Sequence, residues 1–219
     1  MSISSRLAKI KQDFPQSFLA LSYLAYLDAS SITVDQVNEF FSSESSDFTE
    51  NVLNQLMNDS LITKNNKDIF IDPLVQKETV ELIDKETKII IINNIVYSLN
   101  NLITDDDIQD LRFTNEQRVL KLFKNVVKIH QNFWENTYKS EYSAELIKKL
   151  GNLNEEYFMN FDQALNNYHD VLAIYEAILP ANDLRIPDLY NNIGAVYAKL
   201  GINEKALNTY NQALMLYEG

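Results

Sequence analysis

Apolar residues recur at helical spacing along most of the chain. Leu7 and Ile10 mark a short leader helix over 4–12, which Pro15 ends. Over 16–28, Phe18, Leu19, Leu21, Leu24, Ala25 and Leu27 nearly surround the axis, the pattern of a buried helix. Thr33 then stands at an N-cap with Gln36 three residues on, the capping-box spacing, ahead of Val34, Val37, Phe40 and Phe41. Ser46 or Asp47 caps a third helix bearing Phe48, Val52, Leu53, Leu56 and Met57. The period next becomes that of strands. Residues 61–64 and 68–71 flank Asn65-Asn66-Lys67, where Asn tolerates positive φ, so a β-hairpin is expected. Residues 74–83 return to helix. Ile89, Ile92, Val96, Leu99 and Ile103 stripe a long helix, and another is expected over 114–134.

The C-terminal part repeats itself. The pattern aromatic-x-x-Leu-Gly-x-x-Tyr followed by Ala-x-x-x-Phe is met by Tyr190, Ile193, Gly194, Tyr197, Ala206 and Tyr210. An upstream copy places Ile147, Leu150, Gly151, Ala164 and Tyr168 in the same positions, with Asn154 where Tyr is expected. Gly151 and Gly194 stand 43 positions apart, more than the roughly 34 of a standard tetratricopeptide repeat. In that respect the pair resembles the longer repeats of kinesin light chains.

The two halves together resemble the segment of NB-ARC/STAND signalling ATPases in which a winged helix leads into a tetratricopeptide (TPR) array. Leu21-Ser-Tyr-Leu-Ala-Tyr-Leu27, the helix over 32–41, Leu61-Ile62 and Ile69-Phe-Ile-Asp-Pro-Leu-Val-Gln76 carry that resemblance. It implies a mostly α fold: a leader helix over 1–15, a winged helix over 16–84 with a small hairpin, a helical connector over 85–140, and two repeats of an α-solenoid over 141–219. In that family a His in the last stretch contacts bound ADP. Asp72 occupies that place here, and a carboxylate repels phosphate. There is no Gly-x-x-x-x-Gly-Lys-Ser/Thr loop either, so the chain is expected not to bind ATP.

Composition narrows the chemistry. With no Cys, a disulfide framework, a thiolate metal site and a Cys nucleophile are excluded, and a reducing, cytoplasmic setting is expected. The 31 acidic residues against 19 basic ones, net −12, oppose binding to nucleic acid or to anionic membranes. The third helix, the one a winged helix would offer to DNA, carries Asp47, Glu50 and Asp59 and no Lys or Arg. His130 and His169 belong to no triad pattern. Asp105-Asp106-Asp107 lacks the spacing and Gly of a calcium loop and suits a helix start. No catalytic residue, metal ligand or cofactor is assigned, and the chain is expected not to be an enzyme.

What remains is protein–protein interaction. In a TPR pair the first helix lines a concave groove. The groove residues are then Glu145, Lys148 and Asn152 in the first repeat, and Asp188, Asn191, Asn192, Ala195 and Lys199 in the second. Asn amides can hold an extended peptide backbone through paired donor and acceptor. Lys148, Asn152 and Asn192 also resemble part of the clamp with which some repeat proteins hold a C-terminal carboxylate. The expected partner is a protein or peptide. Two architectures fit: the sensor or arm region of a STAND-like regulator, or a stand-alone TPR scaffold. A winged-helix DNA-binding regulator is a third. Leu207, Tyr210, Leu214 and Tyr217 are expected to pack inward, flanked by Ala206, Ala213 and Leu216. One helix pair cannot cover them all. The last helix is therefore expected to self-associate weakly or to be covered by further repeats. Trp134 is expected at the junction between connector and repeats.

Overall fold

A computed structural model describes residues 2–104, 116–133 and 139–218. Trp134 and the 105–107 acidic cluster lie outside them. The described residues are mostly helical, with eleven helices and one small antiparallel sheet. They form two compact units, 2–104 with 116–133, and 139–218.

In the first unit, α1 (Ile3–Asp13) starts at Ser2, whose hydroxyl accepts the Ser5 N–H, and buries Leu7 and Ile10. Pro15 opens α2 (Pro15–Tyr26), where a missing N–H costs nothing. The run from Ala20 to Tyr26 is buried all round, so α2 is the central helix. β1 (Ile32–Thr33) leads directly into α3 (Val34–Phe40). There Gln36 Oε1 accepts the Thr33 backbone N–H at 2.7 Å and Thr33 Oγ1 accepts the Gln36 backbone N–H at 3.3 Å, the reciprocal cap expected. α4 (Ser46–Asn58) has Ser45, in extended conformation and with no side-chain cap bond, as its cap residue in place of the expected Ser46 or Asp47. The hairpin is β2 (Ile62–Asn65) and β3 (Asp68–Ile71), turned by Asn66 at φ 53°. β3 lies between β1 and β2, pairing Ile32 with Ile69 and Ile62 with Ile71, all four buried.

Asp72 caps α5 (Pro73–Glu81) by accepting the Leu74 N–H at 2.7 Å. That gives this carboxylate a local structural role. Gln76 of α5 donates to the Leu24 and Leu27 carbonyls at the end of α2. α6 (Lys85–Leu102) is capped by Asp84 and buries Ile92, Val96 and Leu99 of the expected stripe, with Ile89 half-buried and Ile103 buried just past its end, and α7 spans Glu116–Phe133. Both were expected as connector; among the described residues they fold onto the first unit, α6 against α2 and α3, α7 against β1. Asn125 of α7 is fully buried. It accepts the Asp28 N–H at 2.7 Å and donates to the Ser31 carbonyl at 3.0 Å. Beside it Lys128 donates to the Leu27 carbonyl at 2.5 Å. Burial pushes the Lys128 ammonium below its usual range, against the opposing pull of Asp28.

The second unit has four helices: α8 (Glu141–Glu156), α9 (Phe161–Ile178), α10 (Arg185–Lys199) and α11 (Asn203–Glu218). α8 packs along α9, α10 along α11, and α10 also against α9.

Candidate functional site

In each pair of the second unit the two helices meet through a glycine. A Cβ on Gly151 of α8 would fall 2.5 Å from the Tyr168 ring of α9, and one on Gly194 of α10 would fall 2.7 Å from the Tyr210 ring of α11. Only a residue without a side chain lets each tyrosine lie flat on the facing helix. A second tyrosine closes each pair one end further on. Tyr175 donates its hydroxyl to Glu145 at 2.5 Å, and Tyr217 donates to Asp188. Contacts between 168 and 151 and between 175 and 145 run in opposite senses along the chain, so the helices are antiparallel. Glu145 and Asp188 lie 43 positions apart, like Gly151 and Gly194, so the two pairs are copies of one packing unit.

Around that frame the polar residues are held in place. Tyr168 donates to Asn152 at 2.9 Å and to the nearly buried Glu155 at 2.7 Å. Lys199 reaches the other Glu155 oxygen at 2.7 Å and so joins the second pair to the first. Burial, then the adjacent carboxylates, push both the Tyr168 and Tyr175 hydroxyls far above the usual phenol range. At the start of α10, Arg185 binds Asp183 and Glu141 and lies 5.7 Å from the Tyr175 ring centre. The hydrogen bonds from Arg185 hold the Asp183 carboxyl down at about 2.

Most of the eight groove residues expected from the sequence have partners within the chain. Glu145 holds Tyr175 and lies 3.6 Å from Lys148, Asn152 holds Tyr168, and Lys199 holds Glu155. Asp188 and Asn191 meet on the Tyr217 hydroxyl, Asn191 donating at 3.1 Å. Asn192 and Ala195 are half-buried on α10. Glu155, Tyr168, Tyr175 and Tyr217 were absent from that expectation. Their signal was available: Tyr175 and Tyr217 face carboxylates at matching places in the two copies.

The last helix corrects one expectation. Ala206, Thr209 and Ala213 are the residues α11 buries. Leu207, Tyr210, Leu214 and Tyr217, expected to pack inward, are exposed. Small residues at i, i+3 and i+7 let α11 approach α10 closely, which leaves the large side chains on the adjoining face.

Elsewhere, α4 presents Asp47, Glu50, Asn51 and Asn54 to solvent and carries no cation. At the hairpin, Lys67 lies 3.9 Å from Asp35, and Lys121 lies 2.6 Å from Asp68. Among the described residues no helix is long and apolar enough to cross a membrane.

No family model matches the chain. It is 30% identical over 113 residues to Protein HGV2 of Halocynthia roretzi, a match that takes in 52% of this chain and 21% of that protein. The chain thus covers about a fifth of the length of that relative.

Proposed function

We propose that this chain is a non-catalytic protein–protein interaction module: a winged helix followed by two long TPRs, the sensor or arm region of a STAND-like regulator. The observation that carries this reading is the duplicated packing of Tyr168 on Gly151 and Tyr210 on Gly194, with Tyr175–Glu145 and Tyr217–Asp188 beyond them. A TPR pattern requires such small-residue contacts between antiparallel helices. For the first unit, support comes from the order helix, strand, helix, helix, hairpin and from β3 lying between β1 and β2. The acidic α4 speaks against a DNA-reading helix, because phosphate neutralisation needs Lys or Arg.

The first helices α8 and α10 are then the peptide-binding face, with Lys148 and Asn192 as contacts to partner and the tied residues Glu145, Asn152 and Lys199 as its fixed frame. A stand-alone TPR scaffold binding peptide segments in the same first-helix face is the second reading. Both readings place the chain in the cytoplasm without cofactor or metal. The test is a displayed peptide library panned against the full chain, with hits measured by fluorescence anisotropy. The expected result is a family of related peptides whose affinity falls at least tenfold in Lys148→Ala and Asn192→Ala. Hits indifferent to both variants would refute the groove.

A further inference from the structure

A buried hydroxyl inside a helix commonly closes on the carbonyl one turn back. Thr79 of α5 donates to Val75 at 2.6 Å, Thr209 of α11 to Lys205 at 2.8 Å, and Ser22 of α2 to Phe18 at 2.7 Å. Thr49 of α4 makes no such bond. It is 4% exposed, yet its hydroxyl has no partner among the described residues. It lines instead a cavity of about 230 Å³ where α3, α4 and β2 meet, shared with Val34, Asn38, Glu50, Leu53 and Lys64. Val34 and the buried Leu53 give this cavity an apolar floor, and Asn38, Glu50 and Lys64 form its exposed rim. Among the described residues none of the three rim side chains has a hydrogen-bond or ion-pair partner. The charges next to them are paired, Asp35 with Lys67 and Asp68 with Lys121. A second cavity, about 290 Å³ along α2, differs in this respect: its Lys11, Ser22, Asp84 and Thr87 are all bonded within the chain.

We propose that the cavity between α3, α4 and β2 is a binding site for a free α-amino acid. Its size sets the scale. Sites for drug-sized ligands start near about 300 Å³, so about 230 Å³ suits a molecule of one residue. Its charges set the chemistry. Glu50 and Lys64 stand on separate elements at the rim of one cavity and do not pair with each other. A plain cation would meet Lys64 and a plain anion would meet Glu50, and like charges brought together disfavour either ligand. A zwitterion satisfies both, its ammonium donating to Glu50 and its carboxylate accepting from Lys64. The Thr49 hydroxyl and the Asn38 amide, each able to donate and to accept, take up the remaining positions of the two charged groups. The ligand's side chain rests on Val34 and Leu53, which favours an aliphatic one over a charged one. The site lies wholly in the first unit and does not depend on the peptide-binding face of the second.

The probe is a panel of alanine, valine, leucine and threonine, each with its N-acetyl and its carboxamide derivative. Each is titrated into the full chain in a non-zwitterionic buffer and followed by calorimetry and by chemical shifts. The expected result is saturable binding with shifts at Thr49, Leu53 and Lys64. Either capped derivative should bind about tenfold or more weakly, because each loses a hydrogen bond between charged groups. Two variants then assign the two ends. In Lys64→Met the carboxamide should bind as well as the free amino acid while the N-acetyl form stays weak; in Glu50→Gln the pattern should reverse. Both residues are exposed, so neither change touches the core. Thr49→Val keeps the side-chain shape and should weaken binding several-fold with unchanged circular dichroism. No shift at tens of millimolar amino acid would overturn the proposal. So would binding that tolerates either cap, a dipeptide bound as tightly as its first residue alone, shifts confined to the second unit, or variants that leave the discrimination between free and capped forms intact.

Discussion

Replacing Gly151 by Ala tests the shared packing unit most sharply. The new Cβ would lie 2.5 Å from the Tyr168 ring, closer than real carbons approach. Tyr168 is buried, and its hydroxyl is tied to Asn152 and Glu155, so the ring cannot step aside freely. Overpacking of this kind costs about 1–3 kcal/mol. If the ring moves, the bond to the Glu155 carboxylate is strained or lost, roughly a further 1.5–3 kcal/mol. Ala returns about 1 kcal/mol of helix propensity over Gly. The sum is a net loss of about 1.5–5 kcal/mol. Gly194→Ala is the internal control. Its Cβ would be 2.7 Å from Tyr210, but that ring is partly exposed, and Ala195 and Ala198 stand where Asn152 and Glu155 hold Tyr168. Tyr210 can rotate outward, so that variant should lie within about 1 kcal/mol of wild type. Hydrogen–deuterium exchange reads α8 and α9 separately from the first unit. Protection there should fall by roughly tenfold or more in Gly151→Ala, at a factor of ten per 1.4 kcal/mol. The reasoning is refuted if Gly151→Ala keeps wild-type protection, or if Gly194→Ala costs more.

Alkaline stability is set by tyrosines. Burial raises Tyr26 to about 12 and pushes Tyr168 and Tyr175 higher still. A raised folded pKa stabilises fully below the unfolded value, near 10, and that stability is lost as pH climbs through the folded value. Absorbance at 295 nm should therefore show a set of tyrosines that ionise only together with loss of helical circular dichroism above pH 10; complete ionisation near pH 10 with native helix would contradict this. Asn125→Ala strands the Asp28 N–H and the Ser31 carbonyl in a buried site and should cost about 2–4 kcal/mol in urea unfolding. A loss below about 0.5 kcal/mol would show that water replaces the amide. Duplex DNA should bind no tighter than a high-micromolar, salt-sensitive background, because α4 carries no cation. A nanomolar complex near physiological salt would reverse that part of the account.

Local signals were legible where one short segment carries both partners. The Thr33–Gln36 cap and the Asn66 turn follow from residues three or fewer apart, and the structure forms both. The repeat was legible because Gly151 and Gly194 recur with aromatics at fixed distance. Long-range choices were not. The end of α2 is tied down by Asn125, almost a hundred residues away, and an Asn inside an apolar helix announces no partner. Nor does Glu155 announce its burial, which depends on Tyr168 from the next helix and Lys199 from the second pair. On α11, two faces both read as apolar: the stripe of Ala206 and Ala213, and the stripe of Leu207 and Leu214. Size favours the second as core, but close helix approach selects the first. The residues expected to line a groove fall on α8 and α10. That four of the eight side chains, Glu145, Asn152, Asp188 and Asn191, hold tyrosines of the same unit could be seen only once the helices were paired.

The interaction reading is tested most directly by photo-crosslinking in the cells from which the chain comes. A benzoylphenylalanine at Asn192, half-buried on α10, reports what approaches the first-helix face. A second at the exposed Glu50 of α4 serves as the off-site control. The account predicts a discrete protein adduct at 192 that is absent at 50 and is lost when Lys148 is changed to Ala. Equal, indiscriminate adducts at both positions, or a nucleic-acid adduct at 50 alone, would contradict it.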